Sequence, residues 1–259
     1  MPFVTLDGTA LHYRLIPGTG RPVVFLNSLG TDFRIWDGVI SRLELPSPVL
    51  CMDKRGHGLS DEGPASIALL ARDAAALMVR LGLSGGLICG VSVGGMIAQA
   101  LAAQRPDLAA GLVLCNTGAK IGDAESWNAR INAVLDHGIA AIAEGILERW
   151  FSAGFRAREP AALAGYRNML TRTPPRGYAA VCGAIRDSDF SHSSANLTLP
   201  ALCIAGSEDQ ATPPEVVEAL ARIIPGAGYR LIEGCGHLPC IEAPDTVAQE
   251  LRQLYRQLA

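Results

Sequence analysis

A chain of 259 residues, 49% hydrophobic and 18% charged, has enough apolar material for a large core in one domain or in a domain carrying a modest insertion. Its formal net charge of -3 supplies no basic field of the kind non-specific nucleic-acid binding needs, which excludes nucleic acid as an expected partner. The segment Met1 to Gly8 lacks the basic and apolar regions of a signal peptide, and no apolar run reaches the roughly 18 residues of a membrane span.

These features predict a cytoplasmic protein with no membrane partner. The seven cysteines agree with a reducing compartment: the count is odd, and Cys51, Cys89, Cys115 and Cys203 fall inside apolar runs where a thiol acts as a small hydrophobe. The sequence permits a homo-oligomer.

Phe3 to Leu15 reads as two short strands around a tight turn at Asp7-Gly8-Thr9, an antiparallel hairpin at the start of a sheet. The runs Pro22 to Leu26, Val49 to Met52, Gly86 to Cys89 and Leu112 to Cys115 are short and continuously apolar, as strands buried on both faces of a parallel sheet should be. Two more follow at Ala201 to Ala205 and Tyr229 to Ile232. Apolar residues at three- and four-residue spacing predict helices over about 66–81, 93–104, 213–224 and 244–258.

This alternation implies an α/β fold with a doubly wound, mostly parallel sheet. Gly118 to Leu199 interrupts it with helix-like pieces rich in Ala and Arg that carry Trp127, Trp150, Phe151 and Tyr178. So long an insertion is no simple connection. The expected division is a core of residues 1–117 and 200–259 with a helical lid over 118–199.

Gly90-x-Ser92-x-Gly94 is by itself a weak signal in a chain with 28 glycines. Its setting strengthens it, because it follows the buried run Leu87-Ile88-Cys89 and opens a helix, the strand, sharp turn and helix that expose a nucleophilic serine. A serine hydroxyl needs a base, and the base needs an anion to fix its tautomer. His237, in the Gly-rich loop Gly234-Cys235-Gly236-His237 after the last predicted strand, is placed to be that base. Asp209 follows the preceding strand and is the expected acid, with Glu208 as the alternative.

Each residue also has a plain structural reading: Ser92 as a helix N-cap, His237 as a solvated turn residue, Asp209 as a cap before Pro213-Pro214. The ordered set at three strand ends favours catalysis. Acyl transfer further needs donors for an oxyanion. The backbone N–H groups of Val93, next to the nucleophile, and of Leu29, in the loop Asn27-Ser28-Leu29-Gly30, hold the right positions. No cofactor is called for. Cys235, His237 and Cys240 have a spacing that permits metal ligation, but a metal there would consume the base, so no metal is expected.

With these residues in place, the chain resembles the α/β-hydrolase superfamily over essentially its full length. Asp53-Lys54-Arg55-Gly56-His57-Gly58-Leu59-Ser60 is similar to that superfamily's Asp-x-Arg-Gly-x-Gly-x-Ser loop, which implies a structural role and makes His57 a poor candidate for the base. Three stretches look most like the 3-oxoadipate enol-lactonases: Asn27 to Asp32 with Trp36; Gly118 to Gly122 leading to Trp127-Asn128-Ala129-Arg130; and Trp150-Phe151 before Gly177-Tyr178 and Ala184 to Asp187.

The resemblance implies hydrolysis of a small lactone or ester substrate. The flat ring and carboxylate arm of the enol-lactone suit Trp127 as an apolar wall and Arg130 as the carboxylate partner. The plainer alternative makes Trp127 lid core and Arg130 a solvated helix residue. Carboxylesterases, thioesterases and ligand receptors built on the same fold are the competing functions.

Overall fold

The computed structural model describes residues 2–258. Asp7 and Gly8, with φ of 47° and 77°, form a two-residue turn that folds β1 (Phe3–Leu6) back on β2 (Thr9–Ile16). Positive φ at both turn positions matches the twist of the paired strands. The remaining strands are β3 (Val23–Leu26), β4 (Val49–Met52), β5 (Gly86–Val91), β6 (Ala109–Cys115), β7 (Ala201–Gly206) and β8 (Gly228–Ile232). They lie in the order β1-β2-β4-β3-β5-β6-β7-β8. β2 joins β4 antiparallel, and every pairing from β4 to β8 is parallel.

β3, β4 and β5 are buried along their whole length, as continuous apolar runs predict. β8 departs from that pattern: it is an edge strand with Gly228 to Arg230 exposed, so its sequence owes less to burial. β6 begins at Ala109, three residues before the predicted start, because the small residues Ala109 to Gly111 still pair with Gly86 and Leu87 although they form no apolar run.

Helices Ile67–Arg80, Val93–Gln104, Pro214–Ile223 and Pro244–Gln257 lie within a residue of the predicted spans. Ser66 caps the first of them, its Oγ accepting from the Leu69 N–H at 3.1 Å. A 3-10 turn over Phe33–Trp36 and a short helix Asp37–Ile40 follow β3 where no element was predicted. Among the described residues no helix is long and apolar enough to cross a membrane.

Between β6 and β7 the chain forms helices Ala124–His137, Ala143–Trp150, Ala153–Arg158, Pro160–Thr171, Pro175–Arg186 and Ser191–Ser194. The aromatic residues that mark this stretch, Trp127, Trp150, Phe151 and Tyr178, are all buried and join one continuous core with the sheet.

The Asp53 to Ser60 loop is a hydrogen-bonded knot. The Asp53 carboxylate accepts from the Phe33 N–H at 2.9 Å and the Leu59 N–H at 3.1 Å and meets His12 Nδ1 at 2.7 Å. Arg55 forms a two-pronged pair with buried Asp73, at 2.6 and 2.8 Å. This loop backs the sheet at the point where chain order reverses: β3 lies between β4 and β5. The carboxyl ends of β3 and β5 flank that switch point, where open α/β sheets leave a crevice for ligands.

Candidate active site

β5 delivers Ser92 to that crevice. Its backbone has φ 57° and ψ -122°, a left-handed conformation that costs a non-glycine residue strain. Glycines make the turn feasible. A Cβ on Gly90 would collide with the Gly94 backbone, and one on Gly94 with the Leu26 carbonyl. The second contact also shows that the end of β3 lies directly against the start of the Val93–Gln104 helix. It therefore brings the Asn27 to Thr31 loop beside Ser92. The N–H groups of Leu29 and Val93 have no acceptor among the described residues.

His237 and Asp209 arrive from the ends of β8 and β7. Asp209 Oδ2 lies 2.9 Å from His237 Nδ1. The same oxygen accepts from Thr212 Oγ1 at 2.6 Å and Asn116 Nδ2 at 2.8 Å, while Oδ1 accepts from the Ala211 and Thr212 N–H groups at 2.7 and 3.1 Å. Five contacts hold one carboxylate, more than an N-cap needs. A carboxylate opposite Nδ1 places the proton there and leaves Nε2 free as a base. Glu208, the alternative acid, is exposed and accepts from the Ala153 N–H at 3.1 Å, away from His237.

The imidazole loop is anchored on its far side. The His237 N–H donates to the Trp150 carbonyl at 2.8 Å, and Glu242 accepts from the Gly236 N–H at 3.0 Å and from Ser152 Oγ at 2.5 Å. Burial raises the Glu242 carboxyl above the ordinary range against these hydrogen bonds.

Ser92 and His237 line one cavity of about 450 Å³, together with Ser28, Leu29, Trp127, Arg130, Arg149 and Tyr178. No hydrogen bond joins Ser92 Oγ to His237 among the described residues. Such bonds in free enzymes often close only with ligand.

Trp127 and Arg130 stand one turn apart on the Ala124–His137 helix. The Trp127 indole N–H donates to the Ile121 carbonyl at 2.7 Å, which fixes the ring, and the Arg130 guanidinium lies 5.0 Å from the ring centroid. Both residues border the cavity, so Trp127 is core and wall at once. Arg130 is half-buried rather than solvated.

Arg149 and Ser28 are among the lining residues that the sequence does not single out. Arg149 puts a second guanidinium at the cavity, and neither it nor Arg130 has an acidic partner among the described residues. Ser28 has a buried Oγ with no partner there either. Helical spacing offered a signal for Arg149, which precedes the wall residue Trp150, but nothing local marked Ser28.

His57 is fully buried and does not line the cavity. Its Nε2 accepts from the Gly30 N–H at 2.9 Å, and burial, aided by the nearby Lys54 ammonium, pushes the imidazole well below its ordinary value. It braces the Asn27 to Thr31 loop. Of the metal alternative, His237 Nδ1 is engaged by Asp209. No group of three or more His, Cys, Asp or Glu among the described residues is arranged to hold an ion.

Comparison with known proteins agrees with this architecture. Residues 23–250 match the model of the alpha/beta hydrolase family. The chain is 32% identical to 3-oxoadipate enol-lactonase 2 of Acinetobacter baylyi over 244 residues, covering 93% of this chain and 91% of that protein. The crystal structure of the enol-lactonase from Burkholderia xenovorans superposes with a TM-score of 0.95 at 35% identity, covering 98% of this chain and all of that one. A thermophilic esterase from Thermogutta terrifontis, solved with malate bound, superposes at 0.91 with 30% identity over 99% of this chain and 97% of its own. The chain belongs to the alpha/beta hydrolase family.

Proposed function

We propose that the protein is a serine hydrolase that opens a small carboxylated lactone, 3-oxoadipate enol-lactone, to 3-oxoadipate through an acyl-serine intermediate. The observation that carries the substrate class is the charge of the cavity: Ser92 and His237 share it with two guanidinium groups, and no Asp or Glu lines it. Such a cavity favours a small anion. Similarity to two enol-lactonases supports the ring, and the malate-bound esterase supports a carboxylated ligand. Residues 118–199 act as the lid over residues 1–117 and 200–259, supplying Trp127 as the wall and Arg130 as the carboxylate partner.

In the first half-reaction His237 Nε2 takes the Ser92 proton as Oγ bonds to the lactone carbonyl carbon. The oxyanion rests on the Leu29 and Val93 N–H groups. Collapse breaks the ring C–O bond, and the departing enolate oxygen takes the proton from His237. The enol remains tethered to the acyl group, so reclosure competes until tautomerisation to the ketone removes the nucleophile. Water, deprotonated by His237, then attacks the acyl-serine; collapse of the second oxyanion returns the proton to Ser92.

Steady-state assays of the purified enzyme on the enol-lactone and on p-nitrophenyl acetate test the assignment. A kcat/KM on the lactone at least about a hundredfold higher supports it, a gap of roughly 2.7 kcal/mol in transition-state stabilisation. Preference for the neutral ester instead supports the second reading, a carboxylesterase with the same machinery, which the Thermogutta neighbour favours.

A further inference from the structure

Lys54 is a lysine in the wrong place for a structural residue. Its side chain is buried, no carboxylate pairs with it among the described residues, and its one hydrogen bond there runs from Nζ to the Ser28 carbonyl at 2.6 Å. Removing an ammonium from water without an ion pair is costly, and a Met or Leu stem would fill the same volume without that cost. Asp53 and Asp32 act on it only at longer range, and burial outweighs them, pushing the ammonium down to about 7.

The acceptor explains the expense. The Ser28 carbonyl and the Leu29 N–H belong to one planar peptide unit, trans like every peptide bond among the described residues, so they point in opposite directions. Whatever holds the carbonyl aims the N–H. Lys54 makes the shortest contact to it, with Thr31 donating as well from Oγ1 at 2.9 Å and from its N–H at 3.4 Å. The rest of the loop is tied down as well: Gly30 N–H donates to His57, and Asn27 Nδ2 to the Thr31 carbonyl. Among the described residues the Leu29 N–H has no acceptor, and Leu29 lines the cavity.

We propose that Lys54 is a positioning residue for the oxyanion hole: by gripping the Ser28 carbonyl it turns the Leu29 N–H of the same peptide into the cavity and polarises it as a donor. A cation on the carbonyl draws electron density along the amide and strengthens the N–H, as in any chain of hydrogen bonds in a low-dielectric interior. The inference rests on the reading of Ser92 as nucleophile and Leu29 as oxyanion donor. It assigns to the second residue of the Asp-x-Arg-Gly loop a part in the reaction, where the other residues of that loop serve the fold.

The test compares wild type, Lys54→Met, Lys54→Gln and Ser92→Ala on p-nitrophenyl acetate, an ester that any acyl-serine hydrolase can report, with folding checked by thermal melting. Phenylboronic acid, which forms a tetrahedral adduct on the nucleophile, serves as the transition-state probe. Removing an oxyanion donor outright costs a hundredfold or more in kcat, so misaiming one should lower kcat about tenfold in Lys54→Met, with KM within about twofold and boronate affinity reduced about tenfold. Lys54→Gln, which keeps a donor without the charge, should fall between wild type and Met in both kcat and boronate affinity.

A folded Met variant with wild-type kcat, or one that changes KM alone, overturns the proposal. Should the Met variant not fold, a Gln variant that binds boronate as tightly as wild type does so too. Ser92→Ala retaining turnover overturns the underlying serine reading instead, and that result is separate from any effect at Lys54.

Discussion

Asn116 ties the acid loop to the histidine loop. Its Nδ2 lies 2.8 Å from Asp209 Oδ2 and 2.8 Å from the Gly236 carbonyl oxygen, and its Oδ1 accepts from the Gly206 N–H at 3.1 Å. Its backbone sits at φ 44°, a conformation asparagine tolerates better than most residues. Asn116→Ala should leave Asp209 one donor short, the Gly236 carbonyl with only the weak Cys235 thiol donor at 3.6 Å among the described residues, and the Gly206 N–H without its side-chain acceptor. A kcat loss of about tenfold with KM nearly unchanged is expected, since each lost buried bond to a charged group is worth about 1.5–3 kcal/mol and Thr212 still holds the carboxylate. Unchanged kcat would remove Asn116 from the account.

The choice between Asp209 and Glu208 is testable by a matched pair. Asp209→Asn keeps the shape and reverses the tautomer preference of His237, which should lower kcat by about 10³–10⁴ without unfolding the chain. Glu208→Gln should stay within about twofold of wild type, since among the described residues the carboxylate meets only the Ala153 N–H, at an exposed position. The reverse ranking would exchange the two residues.

Arg130 and Arg149 should separate anionic from neutral substrates. Arg130→Gln is expected to raise KM for the enol-lactone about tenfold or more, the loss of a charge-assisted bond, and to leave KM for p-nitrophenyl acetate within about twofold. Arg149→Gln should act in the same direction with a smaller effect, because its side chain is more exposed. Equal effects on both substrates would mean that the guanidinium groups shape the cavity wall and do not read charge.

Lys54 makes a stability prediction of its own. Burial pushes its folded-state ammonium down to about 7 from an ordinary 10.5, so between those values the unfolded chain binds the extra proton and stability rises with pH. The cost of the buried charge is therefore largest at and below about pH 7. Lys54→Met should melt higher than wild type at pH 7, by about 2–4 °C for each kcal/mol of that cost removed, and the advantage should shrink as the pH is raised toward 10. His57, Asp53 and Asp32 face the ammonium, and its loss also removes its push on the imidazole and its attraction to the two carboxylates, so the difference carries those changes beside the cost of the buried charge. A Met variant that melts lower at every pH would make Lys54 a structural residue.

What could be read in the sequence was local. The Ser92 elbow is written in five consecutive residues between a buried strand and a helix, and Asp209 and His237 each lie just past a strand, so period and turn chemistry single them out as candidates. The residues that escaped depend on chain segments meeting far apart in sequence. Asn116 acquires its role from Asp209 and Gly236, 93 and 120 residues downstream. Lys54 acquires its role from a carbonyl 26 residues upstream, and Arg149 from a cavity wall built by other helices.

The short helical turns from Phe33 to Ile40 were missed for a related reason. Asp32 caps the Arg34 N–H locally, but the segment is held by Asp53 on another loop, which accepts the Phe33 N–H.

Turnover of 3-oxoadipate enol-lactone by wild type and by Ser92→Ala decides whether Ser92 attacks the lactone carbonyl. Rapid ring opening by the wild type is expected, with kcat lower by about 10⁴ or more in a Ser92→Ala protein that melts at nearly the same temperature. A folded Ser92→Ala protein with near wild-type kcat would rule that attack out.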